Sequence, residues 1–368
     1  MKAQTPIRFV NYSGLSMASY RYRTLMPAQL LDSLGYDVKI CRADQKTVPG
    51  IYIFSKHFNP KEEYVFAKKL KDPNFTAANV TSVIAGEGNN KSIIIFDICD
   101  SHFNADNIGS YYKEMVKLAD IVVCSTEKMK EVVQKHCSDS EQGRNPWVIL
   151  DSYEFPERTP RFNWEQSDIT SILWYGHPTN IKHLQRVWND LGGCNLMIIT
   201  KQGVQLEVDG KPFPIVPYSI DALLWGFAQC DITIIPNAGS NSAKGANRMI
   251  ESIRQGVFVV AEPMPAYEEF KDWMYIGGIK EGIEWCRQNK AELQGRIQKA
   301  QEYIIKEYNP TKTGERWQRL ILMADKLRNT PSPQEEKKEQ PSGKEPATMA
   351  LNQELYNDLH QLQKQGQD

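Results

Sequence analysis

Between positions 242 and 262 the chain reads SAKGANRMIESIRQGVFVVAE. Lys244, Arg248 and Glu251 recur at i, i+4 and i+7, a spacing that sets two cations and then a carboxylate on one helical face. A helix N-terminus presents unpaired N–H groups and about half a positive charge. Cations placed there oppose the dipole at a cost of a few tenths of a kcal/mol each. Their presence points to an anion, and a diphosphate is the natural candidate. Glu251, one turn further on, would accept hydrogen bonds from sugar hydroxyls. The spacing equally fits a solvated face with an Arg248–Glu251 pair, and both readings stand at this point.

The flanking pattern supplies elements to hold these groups. Gly256 is placed to end the helix, and residues 257–261 (VFVVA) form a short apolar run, the mark of a strand covered on both faces. The same rhythm runs through the chain. A strand at 7–10, a helix at 20–34 and a strand at 36–40 make an opening strand–helix–strand unit, with Tyr20, Arg21 and Arg23 at the helix start. No GxGxxG follows the first strand, so a dinucleotide is not supported. Strands are also expected at 51–54, 93–96, 119–126 and 148–150, then at 172–175, 196–199 and 230–236. Ligand-binding residues of parallel α/β folds sit beyond the carboxyl ends of strands. That rule selects Asp97, Asp100 and His102 after 93–96. It also selects Gly176, His177, Thr179 and Asn180 after 172–175, Lys201 after 196–199, and Asn237, Ser240 and Asn241 after 230–236. Asp97 reads equally as a turn or helix cap, and Arg21 and Arg23 as surface arginines.

The 244–261 stretch resembles the donor-binding helix of GT-B-fold glycosyltransferases, in the branch close to glycosyltransferase family 4. There a Lys, a basic residue four on and a Glu seven on precede a G-x-P-V-V-A strand. Two departures are visible: Phe258 replaces the Pro, and Ala243 and Lys244 stand where many relatives carry an acidic residue that meets the donor sugar. The ADIVVCST block at 119–126, the DICD run at 97–100 and the RYR opening at 21–23 (within YRYR) resemble the same family, whereas Asp151-Ser152 replaces its PN. The resemblance implies two Rossmann-like α/β domains facing a cleft. Residues 1–155 would form an acceptor-side domain and 156–309 a nucleotide-sugar domain, with 310–328 a crossover helix. It implies transfer of a sugar from a nucleotide diphosphate-sugar to an acceptor hydroxyl. Lys244 and Arg248 would meet the diphosphate, and Glu251 the ribose. Gly176, His177, Thr179, Asn180, Lys201, Asn237, Ser240 and Asn241 would line the donor site, and Tyr20, Arg21, Arg23 and Asp97 the acceptor side. Asp100 or His102 would be the base of an inverting reaction, although relatives of this branch retain. No DxD signature marks a metal site, so neither metal nor cofactor is expected beyond the co-substrate.

Composition sets the outer bounds. The chain has 368 residues, a net charge of −1 and 41% hydrophobic residues, enough for two cored domains and no global field for nucleic acid. No apolar run spans a membrane, and the N-terminus lacks a signal-like stretch. The seven cysteines are scattered and form no CxxC, as suits a reducing cytosol. Residues 329–368 are polar and proline-rich, with a short leucine-faced helix expected at 349–363. The acceptor stays open among glycan, lipid-linked, small-molecule and modified-nucleobase hydroxyls, and peripheral membrane contact is compatible with the sequence. Two other readings also stand: a nucleotide-sugar epimerase, and a non-catalytic nucleotide-sugar-binding module.

Overall fold

The computed structural model describes residues 5–11, 13–43, 48–55, 59–72, 91–162, 170–208, 211–237 and 243–330. Ser240, Asn241 and the helix expected at 349–363 lie outside them. The first sheet contains β1 (Ile7–Val10), β2 (Val38–Cys41), β3 (Ile51–Phe54), β4 (Ile93–Ile98), β5 (Ile121–Cys124) and β6 (Trp147–Val148). All its pairings are parallel, in the order β2-β1-β3-β4-β5-β6. The second lobe contains β7 (Thr170–Tyr175), β8 (Cys194–Thr200), an antiparallel ribbon of β9 (Glu207–Val208) and β10 (Lys211–Pro212), β11 (Val216–Pro217), β12 (Ile232–Ile235), β13 (Phe258–Ala261) and β14 (Tyr275–Ile276). Its sheet is parallel, ordered β11-β8-β7-β12-β13-β14. The ribbon, β11 and β14 are additions to the strands expected from the sequence.

Helices cover both faces of each sheet. In the first lobe these are α1 (Ala18–Tyr20), α2 (Met26–Ser33), α3 (Pro60–Lys71), α4 (Gly109–Leu118), α5 (Glu127–His136) and α6 (Glu141–Arg144). In the second they are α7 (Ile181–Arg186), α8 (Ile220–Gln229), α9 (Asn247–Arg254), α10 (Ile279–Gln288) and α11 (Lys290–Glu307), followed by α12 (Pro310–Asn329). The helix expected at 20–34 is not uniform, because a π-helical turn (Arg21–Leu25) joins α1 to α2. A 3-10 turn (Pro265–Phe270) follows β13. The final helix starts at Pro310, where the crossover helix was expected to begin: Asn309 caps it, accepting the Thr311 N–H at 2.7 Å.

Alternation along the central strands explains the two-faced cover. Ile51 and Ile53 pack with Ile93, Ile95, Ile7 and Phe9 on one face, while Tyr52 and Phe54 pack with Ile94 and Phe96 on the other. The first of these faces is closed by α12, through Trp317, Leu320, Ile321 and Ala324. The last described helix thus lies on the lobe that contains β1. Each sheet reverses its strand order once, between β1 and β3 in the first and between β7 and β12 in the second. Crevices at such switch points are where open parallel sheets bind ligands.

Candidate functional site

A cavity of about 830 Å³ opens between the lobes at the carboxyl ends of both sheets. Its first-lobe wall comes from the segment after β1 (Ser16 to Ser19), the π-helical turn, the segment after β4 (Cys99 to His102) and Ser125 after β5. Its second-lobe wall comes from Gly176 to Asn180 after β7, Lys201 after β8, Pro236 and Asn237 after β12, and the start of α9. Loops flanking the β7/β12 switch point therefore meet the first lobe across one gap.

Helix α9 starts without a side-chain cap, as α4 and α10 also do, but it does so at the wall of the cavity. Thr126, Ser219 and Asn309 cap α5, α8 and α12 with side-chain oxygens. Ahead of α9 stands Ala246, with no side-chain cap and no acidic residue in the first turn. The orphan N–H groups of that turn lie where Gly245, Asn247 and Arg248 line the cavity. Arg248 reaches the Tyr175 carbonyl through Nη1 at 3.4 Å, lies beside Tyr267 and makes no ion pair among the described residues. Lys244 precedes the helix instead of opening it, a correction to the expected register. It spans the cleft, with Nζ 3.7 Å from Asp100 Oδ1. The Thr126 hydroxyl fixes the same segment by donating to the Ala243 carbonyl at 2.9 Å.

Glu251 is 3% exposed, which removes the solvated-face reading. Its carboxylate accepts the Tyr22 hydroxyl at 2.9 Å, the Glu154 N–H at 2.6 Å and the Phe155 N–H at 3.2 Å. It joins α9 to the first lobe and to the interlobe connection, while still bordering the cavity. Burial pushes its pKa up to about 7, against the pull of the Glu154 N–H and Tyr22 hydroxyl.

Arg21 and Arg23 are not surface residues. Arg23 is 1% exposed and holds Asp97 through two N–H groups, one of them Nε to Oδ2 at 2.9 Å. Its Nη1 donates to Asp151 Oδ1 at 3.0 Å and to the Ile149 carbonyl at 2.6 Å. Asp97, expected as a cap or on the acceptor side, is buried beneath the cavity as the partner of Arg23. Arg21 donates from Nε to Glu154 at 2.6 Å and from Nη1 to the Leu15 carbonyl at 2.6 Å. The π-helical turn accounts for this: it buries Arg21, Tyr22, Arg23 and Thr24 in succession, which no single face of a regular helix would do. Tyr20 stands at the end of α1 and does not line the cavity.

Other expected residues fall on the second-lobe wall. His177 Nδ1 lies 2.9 Å from the Thr179 hydroxyl and caps the short 3-10 turn Pro178–Asn180. The Thr200 hydroxyl pins the Gly176 carbonyl at 2.7 Å, so the loop after β7 is anchored to the end of β8. Lys201 is exposed at that rim, and Asn237 Nδ2 is buried with no hydrogen-bond partner. Asp100 and His102 share one loop, and the His102 ring packs 5.3 Å from Tyr112. Sequence reasoning missed Asp151, Asn247, Tyr22 and Tyr175. Asn247 donates to Asp151 Oδ2 at 2.7 Å across the cleft, and the Tyr175 hydroxyl donates to the Arg248 carbonyl at 2.9 Å. Asp151 had a visible signal, since it departs from the family's PN.

No protein-family model and no curated protein sequence matches the chain. Solved structures do. HepE of Anabaena, in complex with UDP-glucose, superposes with a TM-score of 0.59 at 11% identity, covering 87% of this chain and 100% of that one. A glycosyltransferase of Rickettsia africae gives 0.59 at 13% identity, over 89% and 100%. An alpha-glucosyltransferase in complex with UDP-glucose and DNA gives 0.56 at 11%, over 87% and 100%. At such identities the likeness is one of fold: the chain has the two-lobed GT-B architecture.

Proposed function

We propose that the protein is a glycosyltransferase that moves a sugar from a UDP-sugar to an acceptor hydroxyl. The observation that carries this reading is the start of α9, an uncapped helix N-terminus with Arg248 in its first turn and Lys244 just before it, opening on an interlobe cavity. Two cations and a row of N–H groups suit a diphosphate. The UDP-glucose named for two structures of this fold favours uridine over other nucleotides.

In this reading the anomeric C–O bond breaks and its electron pair stays on the diphosphate, while the sugar becomes oxocarbenium-like. Lys244, Arg248 and the α9 N–H groups stabilise that developing charge, so the reaction needs no divalent cation. The acceptor oxygen bonds to the anomeric carbon, and its proton passes to the departing phosphate oxygen with retention of configuration. Asp100, 3.7 Å from Lys244, places that cation. His177 and Asn180 line the same cavity, where the reading gives them the phosphates as neighbours.

Calorimetry with UDP, followed by assay of UDP release from UDP-sugars in EDTA, tests this. Lys244→Ala and Arg248→Ala should each weaken UDP binding by about 1–3 kcal/mol, the worth of a charge-assisted hydrogen bond. Unchanged affinity in both variants would remove α9 from the site. Binding without turnover on any UDP-sugar would mark a binding module.

A further inference from the structure

Strand β5 runs into Ser125 and Thr126, and their two hydroxyls are used differently. Thr126 caps α5 by accepting the Met129 N–H at 2.9 Å and donates to the Ala243 carbonyl at 2.9 Å. Ser125 is 3% exposed, and its N–H donates to the Ile98 carbonyl at 3.1 Å, so its backbone is fixed where β4 and β5 end. It lines the interlobe cavity, yet its hydroxyl has no hydrogen-bond partner among the described residues. A buried hydroxyl gives up its hydrogen bonds to water on folding, and native proteins leave few such groups unpaired. Capping does not account for Ser125, because Thr126 already fills that role.

We infer that the Ser125 hydroxyl binds a hydroxyl of the sugar being transferred and so gives the donor a contact on the first lobe. This rests on the proposed function, in which the diphosphate sits at the start of α9. The end of β5 touches the segment that leads into that helix: Thr126 bonds to Ala243, and a Cβ at Gly245 would stand 3.8 Å from Thr126 Cγ2. Lys244 lies between those two contacts. A sugar attached to a diphosphate held by Lys244 and Arg248 therefore lies against this part of the first-lobe wall. Ala243 offers that sugar no side-chain hydrogen bond. A serine hydroxyl both donates and accepts, as a sugar hydroxyl does, so the two match in either direction. The diphosphate itself is met from the second lobe, so Ser125 acts on the sugar and not on UDP.

The test compares the full-length chain with its Ser125→Ala variant. Calorimetry uses UDP, UDP-glucose and UDP-N-acetylglucosamine, and scanning fluorimetry reads the ligand-free proteins. The wild type should bind UDP and at least one of the UDP-sugars. Ser125→Ala should bind that UDP-sugar about three- to tenfold more weakly, the worth of one neutral hydrogen bond, with UDP affinity unchanged. Its ligand-free melting temperature should stay level or rise, since the change removes an unpaired hydroxyl and breaks no bond. Four results would each overturn this inference alone: unchanged UDP-sugar affinity, an equal loss for UDP and UDP-sugar, a lowered ligand-free melting temperature, or a wild type that binds UDP but neither UDP-sugar. Absence of UDP binding in the wild type would overturn the proposed function and this inference with it.

Discussion

Glu251 shows how one carboxylate can be read as a ligand group and turn out to tie a molecule together. Three donors from two other segments converge on it, and burial holds its folded pKa at about 7, above the ordinary glutamate value of 4.5. The folded state therefore keeps this proton over a range where the unfolded chain has lost it. Stability from this group is fully present below about pH 4.5 and is lost as pH rises to about 7. The span corresponds to about 3 kcal/mol at most. Glu251→Gln removes the titration, and its amide oxygen still accepts from the 154 N–H. Thermal melts from pH 5 to 8 should show the wild type losing stability relative to the variant as pH rises. A difference between the two that does not vary with pH would place the proton elsewhere.

At the scale of elements, the turn that ends α9 also sets its position. Gly256 has φ +75°, and a Cβ there would stand 2.9 Å from the Arg158 carbonyl oxygen and from Pro160 N and Cα. Gly256→Ala therefore combines left-handed strain with a backbone clash, and should cost about 2 kcal/mol or more in urea denaturation. A cost below half of that would mean the 158–160 segment yields freely. This glycine, like the apolar runs of β4, β12 and β13, was legible in the sequence because one local requirement admits few residues. The start of α9 was not. Lys244, Arg248 and Glu251 satisfy helical spacing whether or not the first of them is helical, and Ala246 gives no sign of a cap. Nor could spacing reveal that Asp97 pairs with Arg23, since that contact joins a strand end to a π-helical turn distant in sequence. Local patterns disclosed the elements and the loops that carry the site. The partners that neutralise its arginines depend on packing between segments.

For the molecule as a whole, stability and donor recognition lie in different places. Trp317 sits on α12, the last described helix, yet it is fully buried in the first lobe, edge-on to Phe9 at 6.0 Å. The Arg23 guanidinium lies 5.6 Å from its ring centroid. Trp317→Ala removes the largest side chain that α12 contributes to this face and should destabilise the protein by about 3–5 kcal/mol. The cleft is crossed by Tyr22–Glu251 and Asn247–Asp151, so loosening the first lobe also weakens what holds α9. The variant should therefore melt earlier in one cooperative transition and not lose the first lobe separately. Below that transition, UDP binding should match the wild type, because Lys244, Arg248 and the α9 N-terminus belong to the second lobe. Calorimetry beside scanning fluorimetry reads both quantities. Two resolved transitions would show that the cross-cleft bonds do not couple the lobes. Weakened UDP binding in the folded variant would show that the first lobe shapes the donor site more directly than its charges imply.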